Sequence, residues 1–326
     1  MTTAQQIHLV RRPAGMPVPA DFALVEAELP ELADGEIEVE ALLVSVDPYM
    51  RPRMDRDQPL DAVMPGGGIG RVIRSRTAAL AEGALVKHGG GFQSRFVAPA
   101  ATVARLDADP ALPLSAYLHV LGGTGLTAWG GLLHTGALQE GERVLVSTAG
   151  GAVGSVAAQI ALIKGCTVAG LTGSDEKAAW LRDVAGVPAI NYRTADLSGA
   201  IAAALPKGID VYFENVGGSQ LDAALPLMRL NGRIPVCGMI SAYNGDGPGV
   251  HNLFNMIYKR LRMEGFVSTD FAHAQAAFHS DMTGWIKAGK MHWQETIVDG
   301  FERIPETMIA LLNGANAGKM LVRAGV

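Results

Sequence analysis

Arg143-Val-Leu-Val-Ser-Thr-Ala149-Gly-Gly151-Ala-Val-Gly154-Ser-Val-Ala-Ala-Gln159 runs from an apolar, β-branched segment through a glycine-rich turn into small apolar residues. The order is strand, tight turn, helix. That order is what a dinucleotide site requires. A glycine at 151 lets the backbone approach a pyrophosphate, and a glycine at 154 lets the helix pack close to its strand. The unpaired amides of the first helical turn then face the phosphates. Ala149 stands where the first glycine of the usual pattern would be, giving A-x-G-x-x-G. An ordinary strand–helix turn of an α/β protein would carry the same glycines, but the context on both sides favours the nucleotide site.

The rest of the chain sets the frame for this motif. At 326 residues it is long enough for two domains. It is 48% apolar and 18% charged, which is the balance of a globular protein with a large core. A formal net charge of −5, with no lysine or arginine block, argues against a nucleic-acid partner. Cys166 and Cys237 sit in strand-like apolar runs and read as small buried residues, which fits a reducing cytoplasm. The N-terminal residues show no basic stretch followed by an apolar one, so no signal peptide is expected, and no apolar run is long enough for a membrane span. The eight histidines are scattered, with no His-x-x-x-His pair, and His119 and His134 read as helix residues. With two cysteines a four-cysteine zinc site is impossible, so the chain is expected to hold no metal.

Two rhythms divide the chain. Short alternating or apolar runs at 23–29, 36–46, 70–75, 84–88 and 93–99 are separated by Gly, Pro and Asp turns, which predicts a barrel-like antiparallel unit. From His119 the period changes. A helix is expected over 121–133, followed by alternating strands and helices. Strands are expected at 144–147, 167–171, 189–191, 211–214, 232–238 and 262–268. Helices are expected at 153–164, 176–185, 195–205, 218–227, 252–261 and 272–288. Six strands with helical crossovers predict an α/β, doubly wound parallel sheet. The tail, with strands at 297–301 and 319–323 and a helix at 304–312, belongs with the first domain. The expected domains are therefore residues 1–118 with 291–326, and residues 119–290.

The second expected strand ends Leu171-Thr-Gly-Ser174, without the acid that usually holds a ribose 2′-hydroxyl. Asp175 and Glu176 follow one turn later, where acids suit a helix N-terminus. Lys177, and the pair Tyr192-Arg193 one strand on, could meet a 2′-phosphate, or could be solvated surface groups. Spacing alone leaves NADP and NAD nearly balanced.

Further marks lie along nearly the whole chain. They are Ser45-Val-Asp-Pro-Tyr49-Met-Arg51, Leu126-Thr-Ala, Gly151-Ala-Val-Gly154-Ser, Gly173-Ser-Asp-Glu-Lys177, Asn191-Tyr192 and Phe213-Glu-Asn215-Val-Gly-Gly218. Cys237-Gly-Met-Ile-Ser-Ala-Tyr243-Asn, Ile257-Tyr-Lys-Arg-Leu-Arg-Met-Glu-Gly-Phe266 and Asn316-Ala-Gly-Lys319 complete them. With these marks the chain resembles the zinc-independent medium-chain dehydrogenase/reductase superfamily. More narrowly it is similar to the prostaglandin reductase and leukotriene B4 12-hydroxydehydrogenase family, which includes alkenal double-bond reductases and curcumin-reductase-like enzymes.

The resemblance implies a GroES-like β-barrel-type catalytic domain beside a Rossmann domain, and NADPH as cofactor. It implies that Gly151, Ala152, Val153 and Gly154 hold the pyrophosphate and that Lys177 and Tyr192 hold the 2′-phosphate. Asn215, Cys237, Gly238, Met239, Ile240, Ser241 and Tyr243 line the adenosine and nicotinamide portions. Phe266, Val267, Ser268 and Asn316 close over the nicotinamide. Tyr243 is the implied proton donor or enolate stabiliser, and Tyr49 and Arg51 border the substrate. Tyr258 is a pocket neighbour at a spacing that also fits core packing, and Arg51 could equally be a structural ion-pair partner. Asp47-Pro-Tyr49 stands where zinc-dependent cousins carry a ligating cysteine. A homodimer is implied, formed across the exposed edge of the last strand. The chain departs from the family at Thr148 and Gly150, where alanines are common, in a short glycine-rich loop at 244–251, and in an abbreviated loop at 53–65.

The implied reaction is hydride transfer from NADPH to the β-carbon of an α,β-unsaturated ketone or aldehyde, leaving an enolate. A neutral tyrosine hydroxyl, with an unperturbed pKa of roughly 10, suits that oxygen. The cofactor's ribose hydroxyl is a second donor. Quinone reduction on the same fold, or cofactor binding without catalysis, are the rival expectations.

Overall fold

The computed structural model describes residues 2–194 and 196–325. The chain forms two compact units, one of Met1–Leu118, Glu295–Asn316 and Met320–Val326, the other of His119–Gln294 and Ala317–Lys319.

The first unit opens with β1 (Thr3–Leu9), β2 (Phe22–Glu28), β3 (Glu36–Ser45), α1 (Met50–Arg56), β4 (Ala62–Val63), β5 (Gly68–Ser75), β6 (Leu85–His88), β7 (Arg95–Pro99) and β8 (Ala104–Arg105). A three-stranded sheet has the order β2-β1-β4. The long β3 pairs antiparallel with β5 and with β7, setting Val39 opposite both Val72 and Phe96. These three side chains, with Ile37 and Val86, form one buried cluster.

Two elements here differ from the sequence expectation. β1 was not expected, because Gln5, Gln6 and His8 interrupt its apolar alternation. Its buried residues are Ala4, Ile7 and Leu9, and the Gln6 side chain is satisfied by Gln93 at 2.7 Å. The segment expected as a loop from residue 53 begins inside α1. That helix buries Met50 and Met54, one turn apart. It also carries the i,i+4 ion pairs Arg51–Asp55 at 2.8 Å and Arg53–Asp57 at 3.1 Å.

The second unit begins with α2 (Gly123–Gly130), which continues into a π-helical turn at Gly131–Thr135. The alternating part follows as β9 (Arg143–Val146), α3 (Ala152–Ile163), β10 (Thr167–Thr172), α4 (Asp175–Asp183), β11 (Ala189–Asn191), α5 (Leu197–Ala204), β12 (Ile209–Phe213), α6 (Gly218–Ala224), β13 (Met228–Val236), α7 (Asn255–Tyr258), β14 (Arg262–Gly265) and α8 (Gln275–Lys287). The six strands form one parallel sheet in the order β11-β10-β9-β12-β13-β14. This is the doubly wound order, reversing between β9 and β12. The inner strands are covered on both faces, so Val144, Leu145, Val146, Leu171, Val211 and Phe213 are all fully buried. The expected strand over 262–268 ends at Gly265, and a 3₁₀ segment (Ser268–Ala274) precedes α8. The expected helix over 252–261 is a 3₁₀ turn (Asn252–Phe254) followed by the short α7.

The chain returns to the first unit with β15 (Glu295–Asp299), α9 (Ile304–Leu312) and β16 (Lys319–Arg323), completing a seven-stranded sheet in which β16 pairs with β3. Met50, Met54, Met64, Phe92, Ile304 and Met308 fill a second cluster of this unit.

One polar group staples the parallel sheet at the N-terminal ends of three strands. Asp210 on β12 accepts from the Arg143 amide at 2.9 Å and pairs with the guanidinium groups of Arg143 at 2.6 Å and Arg229 at 2.8 Å. Burial alone would push the Asp210 carboxyl up. The Arg143 amide and the two arginines outweigh it and hold the carboxyl below its usual range. A depressed carboxylate stabilises the fold above the unfolded pKa of about 4, and the contribution is lost as pH falls through the folded value. Asp210→Asn is therefore expected to cost on the order of 2 kcal/mol at pH 7. The gap between variant and wild type should shrink below about pH 4. Urea midpoints across pH check this, and equal midpoints at pH 7 would refute it.

Candidate active site

The C-terminal ends of the parallel strands carry the candidate site. β9 leaves the sheet through Ser147 and Thr148. Thr148 has φ +52°, a left-handed conformation that is costly for a β-branched residue. Its carbonyl accepts from the Gly151 amide at 2.9 Å and lies where a Cβ on residue 154 would come within 2.3 Å. Only glycine fits at 154. The methyl of Ala149, in place of the usual first glycine, is accommodated from the neighbouring strand, because a Cβ on Gly170 would sit 2.6 Å from it. Gly151 is the N-cap of α3 and has no side chain to cap the helix, which leaves the first-turn amides of Ala152, Val153 and Gly154 without intrahelical acceptors. Gly318 runs beside the turn, its amide donating to the Gly150 carbonyl at 3.2 Å. Asn316, buried, lies two residues before it.

A cationic edge stands at the end of β10. Ser174 caps α4, accepting from the Lys177 amide at 3.3 Å. Asp175 is engaged by the Asn191 side chain at 2.8 Å. The Tyr192 ring lies over Gly173, its hydroxyl 2.9 Å from where a Cβ would be. Desolvation lowers the Lys177 ammonium, Arg193 lowers it further, and Glu176 opposes them. Two cations thus share one edge, an arrangement that a dianionic phosphate would relieve.

The third part lies beyond β12, β13 and β14. The loop after β12 turns through Gly217 (φ +73°) and Gly218 (φ +53°) into α6. Its carbonyls accept from the following loop: Asn215 from the Ile240 amide at 3.2 Å, Val216 from the Ser241 amide at 3.0 Å and from the Ser241 hydroxyl at 2.6 Å. Next to this pair of loops lies an open groove of about 470 Å³, lined by Val236, Cys237, Gly238, Met239, Gly265, Phe266, Val267 and Asp270. The Tyr243 hydroxyl reaches back over Gly238, 3.0 Å from the place of a Cβ there. Burial raises the Tyr243 phenol, Cys237 adds to this, and a backbone hydrogen bond at Met239 opposes it. The group is a neutral donor throughout the neutral range. Burial and Glu214 push the Cys237 thiol up to about 12, so it is protonated as well. Phe266 stands edge-on to Phe213, with ring centroids 6.0 Å apart. Ser268 starts the 3₁₀ segment that follows.

Three residues expected near the substrate have the following surroundings. The Arg51 guanidinium is 2% exposed, donates twice to the Gly15 carbonyl at 2.7 and 3.1 Å and pairs with Asp55. Within its own unit it is a brace. Tyr258 is 68% exposed and packs edge-on against Phe254 at 4.7 Å. Tyr49, in the first unit, is half-exposed, and burial and Asp47 raise its phenol against an opposing Arg53. Glu214 and Ser147 were not singled out from sequence, though an acid ending an apolar strand run before Gly-Gly is a signal that could have found Glu214. Val236, Gly265 and Asp270 of the groove were not singled out either.

Among the described residues, no three His, Cys, Asp or Glu are grouped to hold a metal ion, and no helix is long and apolar enough to cross a membrane.

Comparison with known proteins bears on this geometry. Residues 5–106 match a family described as the N-terminal domain of oxidoreductase, and residues 152–285 one described as zinc-binding dehydrogenase. The chain is 38% identical to the NADPH-dependent curcumin reductase of Escherichia coli, covering 97% of this chain and 95% of that protein. It is 40% identical to prostaglandin reductase 1 of Rattus norvegicus, covering 99% of this chain and 100% of that one. The solved structure of CurA from Vibrio vulnificus in complex with NADPH superposes with a TM-score of 0.93 at 38% identity, covering 99% of each chain. The cofactor is NADP(H), and the close turn at Thr148–Gly154 and the cationic edge at Lys177 fit its phosphates.

Proposed function

The chain belongs to the zinc-independent medium-chain dehydrogenase/reductase family, as an NADP-dependent oxidoreductase of the curcumin and prostaglandin reductase type, and from that premise we propose that it reduces the carbon–carbon double bond of α,β-unsaturated ketones and aldehydes. The observation that carries this proposal is an apolar groove at the ends of β13 and β14 with a neutral phenol, Tyr243, folded over its lining residue Gly238.

Bound NADPH supplies a hydride to the β-carbon of the enone. The first turn of α3, from Gly151 to Gly154, binds the pyrophosphate through its open amides. Lys177 and Tyr192, with Arg193 beside them, take the 2′-phosphate. Asn215 and the segment 237–243 hold the nicotinamide portion, and Phe266, Val267 and Ser268 stand beside it. As hydride arrives, negative charge gathers on the carbonyl oxygen. The Tyr243 hydroxyl donates to it, a contribution of about 3 kcal/mol for one well-placed donor. A proton from Tyr243 or solvent then completes the α-carbon.

The edge strand β14 pairs only with β13 among the described residues. Leu253, Phe254, Ile257 and Tyr258, on the 3₁₀ turn and helix just before it, are 48–69% exposed. An unpaired edge beside a cluster of exposed apolar side chains is a self-association surface. A second copy of the chain is proposed to cover it across a two-fold axis.

Three outcomes are expected. NADPH loss at 340 nm should be fast with a medium-chain 2-alkenal or a 15-keto-prostaglandin-like enone. It should fall by about two orders of magnitude in Tyr243→Phe, the loss of one transition-state donor. Turnover of benzoquinone alone would move the assignment to a quinone reductase, and cofactor binding without any turnover would remove the enzyme from this substrate class. Lys177→Ala should raise the KM for NADPH tenfold or more while leaving that for NADH nearly unchanged, one charge-assisted contact being about 1.5–3 kcal/mol. A variant with unaltered coenzyme preference would discard Lys177 as a phosphate ligand. Light scattering of the purified protein should give twice the mass of one chain, and the double variant Phe254→Asp, Ile257→Asp the mass of one. A wild-type protein with the mass of a single chain would rule out the dimer.

A further inference from the structure

Glu214 directly follows β12 as a carboxylate with no exposed surface. Its Oε1 accepts from the Ser147 hydroxyl at 2.8 Å, from the Val216 amide at 2.6 Å and from the Gly217 amide at 3.1 Å. The Ser147 hydroxyl in turn accepts from the Asn215 amide at 2.7 Å. Three successive amides, 215 to 217, therefore end on one carboxylate, two directly and one through a single hydroxyl. Consecutive backbone amides arranged around an anion form a nest. Here the chain supplies its own anion. The Asn215 side chain closes the arrangement by donating to the Ser147 carbonyl at 2.7 Å.

The opposite side of the same loop holds the groove. The Asn215 and Val216 carbonyls bind the amides of Ile240 and Ser241, and the Glu214 carbonyl binds the Cys237 amide at 2.8 Å. Whatever fixes the amides of residues 215–217 thereby fixes the plane of the peptides that hold 237–241. Among the described residues Oε2 meets no donor within good hydrogen-bond geometry, and the buried Tyr212 hydroxyl beside the carboxylate is likewise without a partner in such geometry. A carboxylate enclosed with one oxygen unsatisfied is expensive, and a neutral side chain could fill the space at lower cost. Charge-assisted bonds to several amides at once are short and directional, which is what a loop held to a fraction of an ångström needs.

We propose that Glu214 is a positioning residue for hydride transfer, fixing through the 215–217 loop and Ser147 the segment that seats the nicotinamide. This rests on the assignment of that segment to the nicotinamide portion in the proposed function. Glu214 touches neither substrate nor reacting atoms.

The test separates the two halves of the cofactor. In Glu214→Gln, which keeps an acceptor at Oε1, kcat should fall three- to tenfold. In Glu214→Met, which removes it at similar size, kcat should fall fiftyfold or more. The affinity for 2′,5′-ADP, which lacks the nicotinamide, should stay within twofold of wild type in both. The fluorescence of bound NADPH should change in the same order, Met more than Gln, and this readout needs no turnover of an enone. If Glu214→Met does not fold, Ser147→Ala should show the same split, with kcat about tenfold down and 2′,5′-ADP binding unchanged. Equal losses of 2′,5′-ADP and NADPH affinity, or wild-type kcat and fluorescence in Glu214→Met, would overturn the proposal. A wild-type protein that turns over no enone but whose NADPH fluorescence still responds to these substitutions would count against the substrate class and in favour of Glu214's role.

Discussion

A single carbonyl oxygen sets how near the nucleotide-binding helix can come to its sheet. The Thr148 carbonyl lies within 2.3 Å of where a side chain would begin on residue 154, so α3 can approach β9 only with glycine there. To aim that carbonyl, Thr148 adopts a left-handed backbone, a conformation that costs a β-branched residue on the order of 1–3 kcal/mol. Close packing on either side offsets the strain: Ala149 is buried against Gly170, and the Ala149 amide binds the Leu171 carbonyl at 2.8 Å. The first-turn amides of α3 are left pointing out of the sheet, which is the one property a pyrophosphate site demands.

The two ends of the parallel sheet are held by different means. At the N-terminal ends, Asp210 gathers two arginines and an amide from neighbouring strands, a compact network in which both carboxylate oxygens are engaged. At the C-terminal ends, the charge at Glu214 is answered by backbone amides and a hydroxyl, and one oxygen is left over. The first arrangement resists unfolding. The second fixes the shape of two loops whose remaining carbonyls and apolar side chains form the groove. Burial, with Glu214 adding to it, keeps Cys237 and Tyr212 protonated, so the thiol that lines the groove is neutral.

How legible each part was in the sequence follows from how local its causes are. The inner strands of the parallel sheet are covered on both faces, so they appear as unbroken apolar runs such as Val144–Val146, and their order follows from the crossover helices. β1 escaped notice because Gln6 is satisfied by Gln93, 87 residues on, and polarity along the strand conceals the buried Ile7 and Leu9. Arg51 was ambiguous for the same reason. Its principal partner is the carbonyl of Gly15, 36 residues upstream, and no spacing rule connects the two. The resemblance to a reductase family named Asn215 and passed over the acid beside it, because the burial of Glu214 depends on a hydroxyl 67 positions away.

The cationic edge at Lys177 shows where sequence and structure weigh the same residues differently. On the sequence, Lys177 and Arg193 could equally be solvated surface groups, which left the coenzyme choice open. In the fold, Asp175 is turned to Asn191, and the Lys177 ammonium is partly desolvated with Arg193 lowering it further. An ammonium lowered in this way gains most from a phosphate dianion, because the anion reverses both the desolvation penalty and the like-charge repulsion. Glu176 pulls the other way, so the edge sets one acid against burial and a second cation.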